Sequence, residues 1–144
     1  MEESVDRELE AILNLVKLTQ DGTVKWHTAK PWGDLIQDET TKYTNVMHCE
    51  FKDKWLRLFI EKHRVDKPKH NTLAELALSN IYYNQDRAYP YWAEWVVLEI
   101  SNSAGQSLWR FPSKPATKDL LDAAKYQVAG VKDVLDSLLQ RPST

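Results

Sequence analysis

The sequence has one cysteine, Cys49, among its 144 residues, so no internal disulfide can form. A domain of this length buries enough surface to fold without a disulfide or a metal. Free cysteine is typical of a reducing compartment, and we therefore expect a cytoplasmic protein. No apolar run approaches the roughly 18 residues of a membrane span, and the acidic start at Glu2 and Glu3 is unlike the basic opening of a signal peptide. We expect no membrane partner.

Glycine is also scarce, and the four glycines lie far apart. The sequence therefore contains neither a phosphate-binding loop nor a dinucleotide fingerprint, and it has no Gly-x-Ser-x-Gly elbow. The histidines do not combine with cysteine or acids at the spacing of a metal site. His48, Cys49 and Glu50 follow one another, but Cys49 points to the other face of a strand and cannot join the other two. His48 with Glu50, or Glu61 with His63, supplies two ligands at best. We predict no catalytic motif, no cofactor and no metal site, although carboxylates that converge only in the fold leave an enzyme open as an alternative. The four histidines are His27, His48, His63 and His70.

Two stretches have the apolar spacing of helices. Residues 4–20 form the first, and it ends at a stop signal, Asp21 followed by Gly22. Residues 117–140 form a long C-terminal helix, in which Gly130 predicts a kink or a close approach to a neighbour. A short helix over 72–82 competes with a strand in the same region. The apolar stripes consist of Val5, Leu9, Ile12, Leu13 and Val16 in the first helix, and of Leu120, Ala124, Val128, Val131, Leu135 and Leu138 in the second.

Alternating residues predict strands over 23–28, 43–51, 55–63 and 92–101, and a last strand that ends at Phe111. A tight loop at Asp53 and Lys54 would pair Phe51 with Leu56. A turn over 102–105 would pair Leu98 with Trp109 and bring Glu99 close to Arg110. The pattern predicts a single α+β domain over 1–144, in which about five strands form an antiparallel meander sheet and both helices pack on one face.

The sheet face opposite the predicted core is rich in aromatic side chains. Large apolar patches that contain Trp, Tyr and Arg indicate interaction sites. The alternative is that the loop over 29–41, which contains Trp32, or the segment over 72–91 folds over this face. The predicted core includes Val96, Leu98, Ile100, Trp109 and Phe111, and the predicted binding residues are Trp55, Phe59, Tyr83, Tyr89, Tyr91, Trp95 and Arg110.

Three functions are compatible with these features. The first is a non-enzymatic binding module that uses the aromatic face to bind another protein or a second copy of itself. The second is a small-molecule or enzymatic pocket between the aromatic loop 82–92 and the sheet. The third is nucleic-acid binding by the basic hairpin 52–69, which interspersed acids and an overall net charge of −2 make less favourable. The basic residues are Lys52, Lys54, Arg57, Lys62, Arg64, Lys67 and Lys69.

The amphipathic helix that leads into residues 18–26 (LTQDGTVKW) resembles the start of a group of small bacterial proteins without an assigned activity. The later apolar strand, the Gly-bearing turn and the leucine-rich C-terminal helix resemble the same group, and this resemblance implies no activity. The order of elements is also similar to that of type III secretion chaperones and toxin-immunity proteins. That similarity implies a protein that uses sheets and helices to hold a partner chain.

Overall fold

The structure, a computed structural model, describes residues 2–67 and 88–140. Its strands form one antiparallel sheet in the order β1-β2-β3-β4-β5, which confirms the predicted α+β meander. The short helix or strand expected over 72–82 lies outside the described residues. The elements are α1 (Glu2–Gln20), β1 (His27–Thr28), β2 (Thr41–Phe51), β3 (Lys54–Val65), β4 (Tyr91–Ser101), β5 (Ser107–Arg110), α2 (Pro115–Val128) and α3 (Val131–Leu138).

The main core lies between the sheet and the helices α1 and α2. Ile12 of α1 and Leu120 of α2 are fully buried against the sheet residues Leu58 and Leu98. Trp109, predicted for this core, is instead 45% exposed because the short edge strand β5 leaves its ring at the border of the helical layer. Burial of alternate strand residues and of one helix stripe fits the predicted two-layer packing.

Both hairpins differ in register from the prediction by two residues. Lys52 and Asp53 form the first turn with φ angles of 48° and 66°, the left-handed pair that a two-residue type I′ turn requires. Cys49 therefore pairs with Leu56. A shift of two residues keeps every side chain on its predicted face, so the predicted faces hold although the predicted partners do not.

The second hairpin shows the same shift, with Ile100 rather than Leu98 opposite Trp109. The predicted turn over 102–105 is present, and the Gly105 N–H donates to the Asn102 carbonyl at 3.0 Å. The predicted proximity of Glu99 and Arg110 is also observed, because these two residues are direct cross-strand partners.

The first strand, predicted over 23–28, contains only the two residues His27 and Thr28. A helix side chain forms hydrogen bonds with the backbone that precedes them. Gln127 of α2 accepts from the Trp26 N–H at 2.8 Å and donates to the carbonyls of Val24 and Thr19 at 2.7 and 2.9 Å. The backbone around Val24 and Trp26 is thus satisfied by α2 and not by a neighbouring strand. Both side chains are buried in the main core, as their alternation suggested.

The long C-terminal helix is divided in two at Gly130, whose φ of 65° is the left-handed conformation that ends helices. After the break, α3 buries none of its side chains. Leu135 and Leu138, which the periodicity placed on a core-facing stripe, are exposed. Leu13 of α1 is exposed as well, because the buried stripe of that helix runs through Ile12 and Leu15 instead.

The second face of the sheet is partly covered by the segment over 29–40. Leu35 from this segment packs with Val46, Phe59 and Val97 in a smaller cluster of buried residues. A bulge at Asn45, with φ of 53°, brings Val46 to this face. The covering loop, one of the alternatives that the sequence left open, is therefore present over the middle of this face.

Candidate functional site

Arg57 lies at the centre of the second face, and its side chain is fully buried. It forms an ion pair with buried Glu99, to which its Nε donates at 2.6 Å, and a second pair with Asp34 at 2.6 Å. It also donates to the carbonyls of Gly105 and Trp32 at 3.0 and 3.3 Å. A buried guanidinium is stable only when it is paired and hydrogen-bonded in this way. Arg57 thus joins the segment 29–40 and the turn 102–105 to the sheet.

Asp34 is the exposed end of this network. Its carboxylate accepts from the Ser107 N–H at 2.7 Å as well as from Arg57. Partial burial raises the pKa of Asp34, but the Ser107 N–H and the Arg57 guanidinium together outweigh burial and hold the pKa below its usual 3.8. Asp34 is therefore ionised in the folded protein at neutral pH, and it remains a partner of Arg57.

A second carboxylate, Glu61, organises the open end of the same face. Glu61 is buried and accepts from the Trp95 indole N–H at 2.9 Å and from the two terminal nitrogens of Arg110 at 3.2 and 3.4 Å. His63 lies 3.5 Å from the same carboxylate, and its ring stacks on Trp95 with 5.1 Å between centroids. One buried carboxylate thus orients three partly exposed side chains.

Tyr91 lies two residues before Ala93 and four before Trp95 on β4, so it shares their face. Its ring is 5.4 Å from that of Tyr89. We use the name Trp95 patch for His63, Tyr89, Tyr91, Trp95 and Arg110. Four of the seven predicted binding residues therefore lie on this part of the face, with Tyr91 about 13 Å along β4 from Trp95.

The other predicted binding residues lie elsewhere. Trp55 stacks on His48 at the opposite end of the face, and it is six residues from Glu61, the partner of Trp95, which corresponds to about 20 Å along β3. Phe59, between these two ends, is completely buried under the segment 29–40, so the prediction that it contacts a partner is corrected. Tyr83 lies outside the described residues. The continuous aromatic face expected from the sequence is thus interrupted in its middle.

The end of the face around Trp55 contains two histidines, but they do not form a metal site. His27 and His48 have ring centroids 5.6 Å apart. Desolvation lowers the pKa of His48, and the charge of His27 lowers it further. Within residues 2–67 and 88–140, no three histidine, cysteine, aspartate or glutamate side chains converge as metal ligands.

Cys49 belongs to the main core, where burial raises the pKa of its thiol to about 12. Reactive cysteines require the thiolate and an accessible sulfur. Cys49 meets neither condition, and its role is that of a small buried apolar residue.

The basic hairpin does not form one charged surface. Arg57 is buried in its network with Glu99 and Asp34, Lys62 lies 3.5 Å from Glu94, and Arg64 lies 3.1 Å from Asp66. Lys69 is outside the described residues, as is most of the loop 82–92 that was expected to border a pocket. Paired cations that point to both faces of a strand do not provide the unneutralised basic stripe typical of nucleic-acid binding.

Sequence reasoning did not identify the central role of Arg57. Arg57 was assigned to an exposed basic run because five lysines and arginines accompany it in residues 52–67. A signal was available, since the correct register places Arg57 directly opposite Glu99 on β4. The contact with Asp34 had no such signal, because a loop residue 23 positions away has no periodicity.

No protein-family model, no curated protein and no solved structure matches this chain. The similarities to small bacterial proteins, secretion chaperones and immunity proteins therefore carry no weight for its function. None of the helices in the described part of the chain has the length and hydropathy of a membrane span.

Proposed function

We propose that this protein is a non-enzymatic interaction module and that its partner, a protein chain, binds the Trp95 patch. The observation that carries the proposal is the arrangement around Glu61. Trp95 and the Arg110 side chain are 38% and 45% exposed, yet both are held by the same buried carboxylate. Tryptophan and arginine are the residues most enriched among energetic hot spots of protein interfaces. Side chains that are fixed before binding lose less conformational entropy when a partner arrives.

The chemistry of the patch favours recognition by packing over recognition by charge. Glu61 offsets the positive charge of Arg110, so the patch has no strong field of one sign. The stacked rings of His63 and Trp95 offer a flat apolar surface with polar edges. A fitting partner presents an apolar side chain to these rings and a backbone carbonyl or a carboxylate to Arg110. Such a segment is available on another protein or on a second copy of this chain.

The chain offers a closely matched control for this proposal. Trp92 lies three residues before Trp95 on β4 and is also 38% exposed, but it points to the other face. A photoreactive phenylalanine analogue can replace either tryptophan, and cross-linking is then carried out in cells that produce the protein. We expect a discrete cross-linked product from position 95 and much less from position 92. A product of twice the chain mass identifies a second copy, and any other discrete mass identifies a different protein.

Equal yields at the two positions, or no product from position 95, would refute the proposal. Because replacement of Trp95 removes its hydrogen bond to Glu61, the folded state of each variant is checked by circular dichroism. The analogue at position 110 provides an independent probe of the same patch that keeps Trp95 in place. The proposal requires that position 110 gives the same product as position 95.

A further inference from the structure

A groove opens at the hairpin end of the main core, between α1 and the sheet. Its volume is about 390 Å³, which lies in the range of roughly 300–1,000 Å³ that small-molecule sites occupy. Its walls are mostly aliphatic and aromatic, and its polar lining residues are Asn14 and two lysines. The walls are formed mainly by Ile12, Leu15, Leu18, Phe51, Leu56 and Ile100.

The two lysines place positive charge at the border of the otherwise apolar groove. Lys54 alternates with Leu56 on β3 and therefore shares the face that lines the groove, while Lys52 lies in the adjoining turn with its ammonium 5.6 Å from the Phe51 ring. Neither ammonium forms an ion pair with a carboxylate in the described part of the chain. Asp53 lies between them in the turn, so the border has a net charge of +1. An apolar interior with a cationic border is complementary to an apolar molecule that ends in an anion.

We infer that this groove binds an aliphatic carboxylate, with its hydrocarbon tail between α1 and the sheet and its carboxylate at Lys52 and Lys54. A methylene fills about the same volume as a water molecule in the liquid, roughly 30 Å³, so a ten-carbon tail of about 300 Å³ fits within the groove of about 390 Å³. The site is separate from the Trp95 patch because it lies on the helix-covered face of the sheet. Its ligand is a small molecule, whereas the Trp95 patch suits a protein chain.

Isothermal titration calorimetry with decanoate, hexanoate and decanol tests this inference. We expect one decanoate per chain, and affinity that falls about threefold to fourfold for each methylene removed from the tail. Replacement of both lysines by glutamine is expected to weaken decanoate binding by about tenfold or more, because a charge-assisted contact is lost. Decanol binding should not change in that variant. Lys118→Gln, an exposed lysine on α2, serves as the control for charge removal.

A second pair of variants tests the position of the tail. Ala11 is exposed and borders the groove, so Ala11→Trp should block it and abolish binding of both decanoate and decanol. Leu13→Trp places the same ring on an exposed part of the same helix that does not line the groove, and it should bind decanoate normally. Absence of saturable decanoate binding up to about 1 mM, the weak end of specific affinities, would overturn the inference. Unchanged binding in Ala11→Trp would also overturn it, and so would equal effects of the lysine changes on acid and alcohol.

Discussion

At the scale of single residues, the most constrained group is the buried guanidinium of Arg57. Removing one partner of a buried ion pair costs more than the pair contributes, because the remaining charge is left without compensation. Arg57 has several partners at once: two carboxylates and two carbonyls from three separate parts of the chain. Its loss therefore weakens the attachment of the covering segment. It also removes the ion-pair partner of Glu99.

We predict that Arg57→Met lowers the free energy of unfolding by about 3–5 kcal/mol, as the loss of one member of a buried pair does. The double variant Arg57→Met with Glu99→Met should lose less than Arg57→Met alone, because Glu99 is then not left buried with only the Ser107 hydroxyl at 2.9 Å and the Arg110 guanidinium at 3.7 Å as partners. Urea unfolding of the two variants measures both values. Lys118→Met, at an exposed pair with Asp122, is the control and should change stability by less than about 0.5 kcal/mol. A double variant less stable than Arg57→Met would contradict this account.

Sequence reasoning at this scale succeeded where period-two alternation decides the answer. The alternation of Met47, Cys49, Leu56 and Leu58 placed them on the core face, and all four are buried there. The reasoning failed where a contact depends on distant parts of the chain. Phe59 has the alternation of an exposed face, and only the segment over 29–40 decides that it is buried.

At the scale of elements, that segment acts as a clamp across the middle of the sheet. Gly33 lies so close to the turn over 102–105 that a Cβ atom on it would overlap the Gly105 carbonyl. Gly105 in turn packs against the Trp32 ring. The close approach lets Arg57 reach both backbones. Glycine at these two positions is required by space as well as by backbone conformation.

The glycines provide an internal comparison that separates these two requirements. Gly22 and Gly33 both have positive φ angles, 83° and 65°, but a Cβ on Gly22 would meet nothing within 4 Å. We predict that Gly22→Ala costs only the left-handed conformation, about 1–2 kcal/mol. Gly33→Ala should cost about 1–3 kcal/mol more, because the added methyl group overpacks the contact with Gly105. Urea midpoints of the two variants measure the difference, and equal values would show that the clamp is not tightly packed.

The helices and strands of the described residues were predicted correctly in type and order, but their ends and the register of the hairpins were not. The left-handed Lys52 and Asp53 turn has no glycine to reveal it, so the register was misjudged by two residues. The division of the C-terminal helix was indicated by Gly130, although a kink or a close approach to a neighbour was expected and not a break. The late start of the first strand depends on Gln127, about 100 positions later in the sequence, and local patterns contain no information about that contact.

At the scale of the whole molecule, the sheet separates two layers of different character. The helical side is the larger apolar core, and it ends in the groove beside Phe51. The other side has a small apolar cluster, and its charged groups hold the segment 29–40 in place. Within the described residues, the segment 29–40 covers the middle of the face, and the Trp95 patch lies beyond it. The two proposed sites therefore lie in different layers and can be altered independently.

Two titratable residues on the face of the sheet away from the helices, His48 and Asp34, determine how stability changes with pH. The pKa of His48 is lowered in the folded state, so the unfolded chain takes up this proton first, and stability falls as pH decreases from 6.5 through the folded pKa. The pKa of Asp34 is lowered as well, so its contribution is fully present above its usual pKa of 3.8 and is lost as pH falls through the folded value.

We predict two separate losses of unfolding free energy on acidification, measured by urea unfolding between about pH 8 and pH 3. His48→Phe, which keeps an aromatic ring against Trp55, should remove only the upper loss. Asp34→Asn should reduce only the lower loss, and part of that loss should remain because hydrogen bonds also lower the pKa values of Asp21 and Asp38. A loss near pH 6 that persists unchanged in His48→Phe would contradict the assignment of the upper loss to His48.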